Sequence, residues 1–124
     1  MNISWSEIKP YENELPTNYA DRIGRLYTDT VTSAFKKSNG QFFTPVSIAY
    51  FMGKQISVNK DSVSVLDPGC GTAILSCAMI ENLVLQSKVK QIELVTYETD
   101  ENLIPGLQKV LEYITIWGLS LIHI

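Results

Sequence analysis

The feature that most constrains this chain is the run Ser64-Val65-Leu66-Asp67 followed at once by Pro68-Gly69-Cys70-Gly71-Thr72 and then by a long apolar segment. A short β-branched run of this kind is typical of a buried strand. Gly69 and Gly71 lack Cβ atoms, so the backbone there can turn sharply and approach a ligand. Ala73 to Leu85 reads as a helix that is apolar on most sides, as expected for a helix packed against a sheet, and Gln91 to Tyr97 reads as a second strand. Strand, glycine turn, helix and strand form a βαβ unit, which implies a parallel sheet and an α/β fold.

The flanking segments are helical by pattern. Residues 1–18 read as an irregular lead-in with Pro10 and Pro16, and residues 19–124 as the incomplete, N-terminal part of a ligand-binding domain. From Tyr19 to Phe35 the positions Ile23, Leu26, Tyr27, Val31, Ala34 and Phe35 fall at helical spacing, with Asn18 as a cap and Lys36 to Gly40 as the stop. Thr44-Pro45 is a second start signal: Thr44 as N-cap, Pro45 at the first helical position, and an apolar face of Ile48, Ala49, Phe51, Met52 and Ile56. A polar loop from Val58 to Ser62 precedes the first strand. After the second strand, Thr99-Asp100 opens a helix carrying Leu103, Leu107, Val110, Leu111 and Ile114, and Pro105 predicts a late start or a bend. The tail from Trp117 has no clear pattern, and Leu119 to Ile124 reads as the start of a third strand.

Composition excludes several classes. At 124 residues, 45% hydrophobic and 19% charged, the chain is globular and at most one domain. Its net charge of −3 argues against strong binding to nucleic acid by this segment alone. One histidine and two cysteines cannot close a zinc site. The N-terminus lacks a signal-peptide pattern and no apolar run is long enough to span a bilayer, so a cytoplasmic location with reduced thiols is expected, and no membrane partner.

Ligands of an open α/β sheet sit beyond the carboxyl ends of its strands. The dinucleotide fingerprint needs a third glycine where Ile74 stands, and a phosphate-binding loop needs a lysine that is absent after Gly71. A bound pyrophosphate or triphosphate is therefore not expected; a merely tight turn is the plain alternative. Glu98, at the end of the second strand, is placed to accept two hydrogen bonds from a ribose diol. Its plain alternative is an acidic residue favouring the next helix N-terminus, with Asp100 and Glu101.

Three segments in order, Gly40-Gln41-Phe42-Phe43-Thr44-Pro45, Leu66-Asp67-Pro68-Gly69-Cys70-Gly71-Thr72 and Tyr97-Glu98-Thr99-Asp100, resemble motifs of the DNA adenine-N6 methyltransferases of bacterial restriction–modification systems. The resemblance covers about residues 19–115. It implies a partial Rossmann-like fold, S-adenosylmethionine as cofactor, and DNA as partner through other parts of such an enzyme, with a restriction or specificity subunit as a further partner. It also implies a cofactor-binding set of Thr44, Asp67, Pro68, Gly69, Cys70, Gly71, Glu98 and Thr99. Thr44 would hold the methionine carboxylate, Asp67 would face the amino group, Gly69 and Gly71 would line the methionine portion, and Glu98 would take the ribose hydroxyls. For Phe42 and Phe43 core packing is the plainer role for at least one ring; Cys70 and Cys77 read as a turn residue and a buried helix residue, and His123 as incidental.

Members of that family carry an Asn/Asp/Ser-Pro-Pro-aromatic motif that holds a flipped adenine. No Pro-Pro dipeptide occurs in these 124 residues, and a region for reading the target sequence is also missing. A truncated fold without a catalytic residue is therefore expected. A methyl-transfer half acting on RNA or protein, a non-catalytic S-adenosylmethionine- or nucleotide-binding module, and a gene remnant are the alternatives.

Overall fold

A computed structural model of the chain describes residues 3–31, 43–86 and 88–122. A 3-10 turn at Trp5–Glu7 is followed by helix α1 (Pro16–Thr28), helix α2 (Val46–Gly53), strand β1 (Ser62–Pro68), helix α3 (Ile74–Gln86), strand β2 (Gln91–Tyr97) and helix α4 (Ile104–Ile122). The strands pair in parallel from Ser62 opposite Gln91 to Pro68 opposite Tyr97. The molecule is thus a mixed helix–strand structure on a two-stranded parallel sheet, as the βαβ pattern predicts.

The apolar helix α3 lies at the centre and packs against α1, α2 and α4. Its Ile74, Cys77, Ala78, Ile80 and Leu83 are buried, together with Tyr19, Ala20 and Ile23 of α1, Ala49 of α2, and Leu107, Val110 and Ile114 of α4. Close approach of α2 and α3 depends on Gly53, where an added Cβ would lie 3.0 Å from the Ala78 backbone. A buried carboxylate ties three of the helices. Glu81 of α3 accepts the Thr17 amide (2.8 Å) and hydroxyl at the start of α1, and the Tyr50 hydroxyl of α2 (2.9 Å). Burial, first of all, pushes the Tyr50 hydroxyl up to about 12, so it remains a donor. The lead-in is pinned as well: Arg22 binds Glu14 and the Lys9 carbonyl and stacks over Tyr11, while Tyr19 donates to the Ile8 carbonyl.

Several boundaries differ from those the pattern predicts. Helix α1 begins at Pro16 with Leu15 as its cap, so Asn18 lies inside the first turn. Proline's fixed φ suits this position, and Thr17 buries against Glu81. The helix ends at Thr28, where Thr30 folds back onto the Tyr27 carbonyl; Ala34, Phe35 and the Lys36–Gly40 stop lie outside the described residues. Leu26 is exposed rather than part of the core face.

Helix α2 is capped by Pro45, whose backbone is extended, so Thr44 lies one residue ahead of the cap position expected for it. The clash of a proline ring with the residue before it favours extended backbone at Thr44, and Pro45 itself stays extended, so the helix starts one residue later. Its expected apolar face divides: Ala49 is buried, whereas Ile48, Phe51, Met52 and Ile56 are exposed. The small residues face α3 because only they allow the close crossing.

The last helix starts late, at Ile104, with Pro105 in its first turn. It then continues to Ile122, so Leu119 to Ile122 are helical where a third strand is expected to begin, and that expectation is corrected. Val110, Ile114 and Gly118 repeat every four residues, and the row carried by Ile114 and Gly118 lines an apolar depression over Ile92 and Leu94 of β2. Among the described residues no helix is long and apolar enough to cross a membrane, and no cluster of three metal-ligating side chains occurs.

Alternation decides which sheet face is covered. Val63, Val65, Ile92 and Leu94 are half-buried or buried, whereas Leu66, Val95 and Tyr97 on the opposite face are exposed, at 64%, 38% and 61%. Parallel sheets are normally covered on both faces. The free 124-residue chain is expected to self-associate through this face, and sedimentation velocity on a Leu66→Thr, Val95→Thr, Tyr97→Thr triple variant should show a shift toward monomer. A monodisperse wild-type monomer would count against it. Glu81→Ala strands three donors in the core and should cost about 3 kcal/mol in urea denaturation, with Glu81→Gln costing less. A loss below about 1 kcal/mol for Glu81→Ala would show that the bonds contribute little.

Candidate functional site

The parallel register brings the ends of both strands together, because Pro68 and Tyr97 are paired. Beyond them the chain forms two adjoining loops. Cys70 donates its amide to the Tyr97 carbonyl (3.0 Å), one step past the last strand pair. Gly71 donates its amide to Oε1 of Glu98 (2.8 Å), and Oε2 of Glu98 accepts the amides of Thr99 and Asp100, both at 3.0 Å. Asp100 in turn accepts the Asn102 amide (3.0 Å) and the Tyr27 hydroxyl of α1.

The glycine loop uses left-handed backbone at alternate positions: Gly69 (φ 65°), Gly71 (φ 60°) and Ala73 (φ 66°). The two glycines serve different purposes. At Gly71 an added Cβ would meet the Phe43 ring at 3.0 Å, so glycine is required both for φ and for space. At Gly69 no heavy atom lies within 4 Å of an added Cβ, and the residue is exposed. Ala73 accepts the strain of its φ, on the order of 1 kcal/mol, while donating to the Cys70 carbonyl at 2.8 Å.

Phe43 fills the space behind the loop. Its ring packs on Gly71, lies 3.5 Å from an added Cβ at Gly24, and meets the Tyr27 ring edge-on at 6.5 Å. Its packing role follows the plainer sequence reading; Phe42 lies outside the described residues. Thr44 follows Phe43 directly and is therefore carried to this end of the sheet. Asp67, half-buried at the end of β1, accepts the hydroxyl of the buried Ser76 in the first turn of α3 through Oδ2. Thr72 is buried and donates to the Ala20 carbonyl (2.9 Å).

The thiols hold no nucleophile. Burial, and then the charge of Asp67, push Cys70 up to about 11, and burial pushes Cys77 well above the usual thiol value. Both are protonated at neutral pH.

Asp67 and Pro68 at the end of β1, Gly69, Cys70 and Gly71 after it, and Glu98 and Thr99 after β2 thus lie on adjoining segments that hydrogen-bond to each other, and Thr44 is next in sequence to Phe43, which packs on Gly71. Glu98 caps its own turn rather than the next helix, which begins only at Ile104. Tyr27 and Ser76 support the site but belong to no motif, and Tyr27 lies 73 positions from its partner Asp100, the last residue of the third motif. No local sequence signal marks that pair.

The N-6 DNA methylase family matches residues 19–105, and the chain belongs to this family. It is 36% identical over 81 residues to the Type II methyltransferase M.AccI of Acinetobacter calcoaceticus, covering 65% of this chain and 14% of that protein. It is 38% identical over 77 residues to the Type II methyltransferase M.BsuBI of Bacillus subtilis, covering 61% of this chain and 15% of that protein. The chain therefore spans about a seventh of the length of these relatives. No solved structure matches it significantly.

The two glycines should separate in mutation. Gly71→Ala is expected to cost about 2–3 kcal/mol in urea denaturation, from φ and from the Phe43 contact, and Gly69→Ala about 1 kcal/mol, from φ alone. Equal losses would remove the packing distinction between them.

Proposed function

We propose that residues 19–124 form the S-adenosylmethionine-binding part of a cytoplasmic DNA adenine-N6 methyltransferase of a restriction–modification system, built on a Rossmann-like sheet. The supporting observation is the open floor at Gly69 between two carboxylates, Asp67 and Glu98, on adjoining strand ends of a chain from the N-6 DNA methylase family. The residues present suit the cofactor. Gly69 leaves room that any other side chain would fill, Asp67 offers a negative partner for an ammonium, and Glu98 retains acceptor capacity for a sugar hydroxyl.

When bound, S-adenosylmethionine supplies an activated methyl group at its sulfonium. Asp67, with Oδ2 held by Ser76, orients the amino end through its other oxygen. Thr44 holds the carboxylate end, Gly69 and Gly71 admit the methionine chain beside Pro68 and Cys70, and Glu98 with Thr99 holds the ribose. Together these groups fix the position of the methyl group, and positioning is the main contribution required of this segment. The target adenine would be held by a Pro-Pro-containing motif that these 124 residues do not include, so this segment alone is expected to bind without transferring. With a net charge of −3, it also leaves phosphate attraction to other parts of such an enzyme, or to a restriction or specificity partner.

Calorimetry with S-adenosylmethionine tests this reading. Glu98→Ala is expected to weaken binding by about 1.5–3 kcal/mol, the scale of a charge-assisted hydrogen bond. Equal affinity of wild type and variant would remove Glu98 from the site.

A further inference from the structure

Glu98 is engaged before any ligand arrives. An ionised carboxylate has about four lone-pair sites. Three are taken: Gly71 holds one on Oε1, and Thr99 and Asp100 hold two on Oε2. One acceptor site remains, on the oxygen that already binds the glycine loop. A ribose diol can therefore place one hydroxyl on Glu98 while the loop keeps its bond, and a second only by displacing one of the three amides.

The loop has few other supports. With left-handed residues at Gly69, Gly71 and Ala73 it cannot continue a regular ladder. Its described amide bonds run from Cys70 to the Tyr97 carbonyl, from Ala73 to the Cys70 carbonyl, and from Gly71 to Glu98. The third of these acceptors is a side chain. Phe43 packs on Gly71 without offering a polar partner, and the turn that carries Glu98 is itself anchored by Tyr27 on Asp100.

We infer that Glu98 is a positioning residue for the glycine loop as well as an acceptor for one nucleoside hydroxyl, so that loop shape and sugar recognition share a single carboxylate. The sugar half rests on the cofactor reading above; the loop half does not.

Amide hydrogen exchange on the ligand-free chain tests the loop half. In Glu98→Gln a single acceptor oxygen cannot serve both loops, and in Glu98→Asp the carboxylate is one methylene short of Gly71. Exchange at Gly71 should accelerate about tenfold or more in both, while Val65 and Leu94 in the strands keep wild-type rates. An unchanged Gly71 rate in either folded variant overturns the inference. If both variants unfold, seen as faster exchange at Val65 and Leu94, Tyr27→Phe decides. It loosens the Glu98 turn with the carboxylate intact, and should speed Gly71 about threefold; a wild-type rate there counts against the positioning role of Glu98.

The sugar half is read by comparing adenosine with 2′,3′-dideoxyadenosine, which lacks the 2′ and 3′ hydroxyls. Wild type should bind the dideoxy probe several-fold more weakly and Glu98→Ala should bind the two alike; equal binding of both probes by wild type overturns the sugar half. Failure of wild type to bind S-adenosylmethionine would defeat the cofactor reading, while the exchange rates would still judge the loop.

Discussion

The bond from the Gly71 amide to Oε1 of Glu98 joins the two loops that leave the ends of β1 and β2. Parallel strands cannot be linked by a hairpin, so their ends are aligned by register and then by whatever crosses between the loops. Here a backbone bond from Cys70 to Tyr97 comes first and the carboxylate of Glu98 second. The turn of Glu98 is fixed through Asp100 to Tyr27, and Tyr27 packs on Phe43, which closes the circuit beneath Gly71. The candidate site is therefore a ring of contacts drawn from α1, the segment before α2, and both strand ends.

A second polar device lies deeper. Glu81 is 3% exposed, with acceptor bonds to Thr17 and Tyr50 and no ion pair among the described residues. Its carboxylate lies at the N-terminus of α1, where the helix dipole and free amide groups favour a negative charge. It sets how α1 and α2 sit on α3. Since the residues ahead of α2 carry Phe43 and Thr44, this core network contributes to where the site's third segment is held.

The helices gather on one face of the sheet, and the other presents Leu66, Val95 and Tyr97 to solvent. The alternation that buries Val65 and Leu94 necessarily turns those side chains outward. Ile48, Phe51 and Met52 of α2 are exposed for a related reason, since the small residues of that helix take the crossing with α3. Apolar pattern marks which residues favour burial; it does not state how many faces of an element a neighbour reaches.

What the sequence determined by itself was local. The β-branched run before Pro68-Gly69, the apolar helix after it, the strand from Gln91 to Tyr97, and the core row Leu103, Leu107, Val110 and Ile114 follow from periodicity, and glycine's tolerance of positive φ marks the loop. The order of the three motifs was enough to identify the family. Helix ends were less legible, because Pro16, Pro45 and the run after Ile114 have local preferences that neighbours settle: Glu81 draws in Thr17, and the last helix packs along α1 and α3. Only the tertiary structure decided that Glu98 bonds Gly71, that Tyr27 steadies Asp100, and that Phe43 fills the space behind the glycines. These contacts join residues far apart in the chain, and hydrogen-bond geometry between distant segments leaves no periodic trace in the sequence.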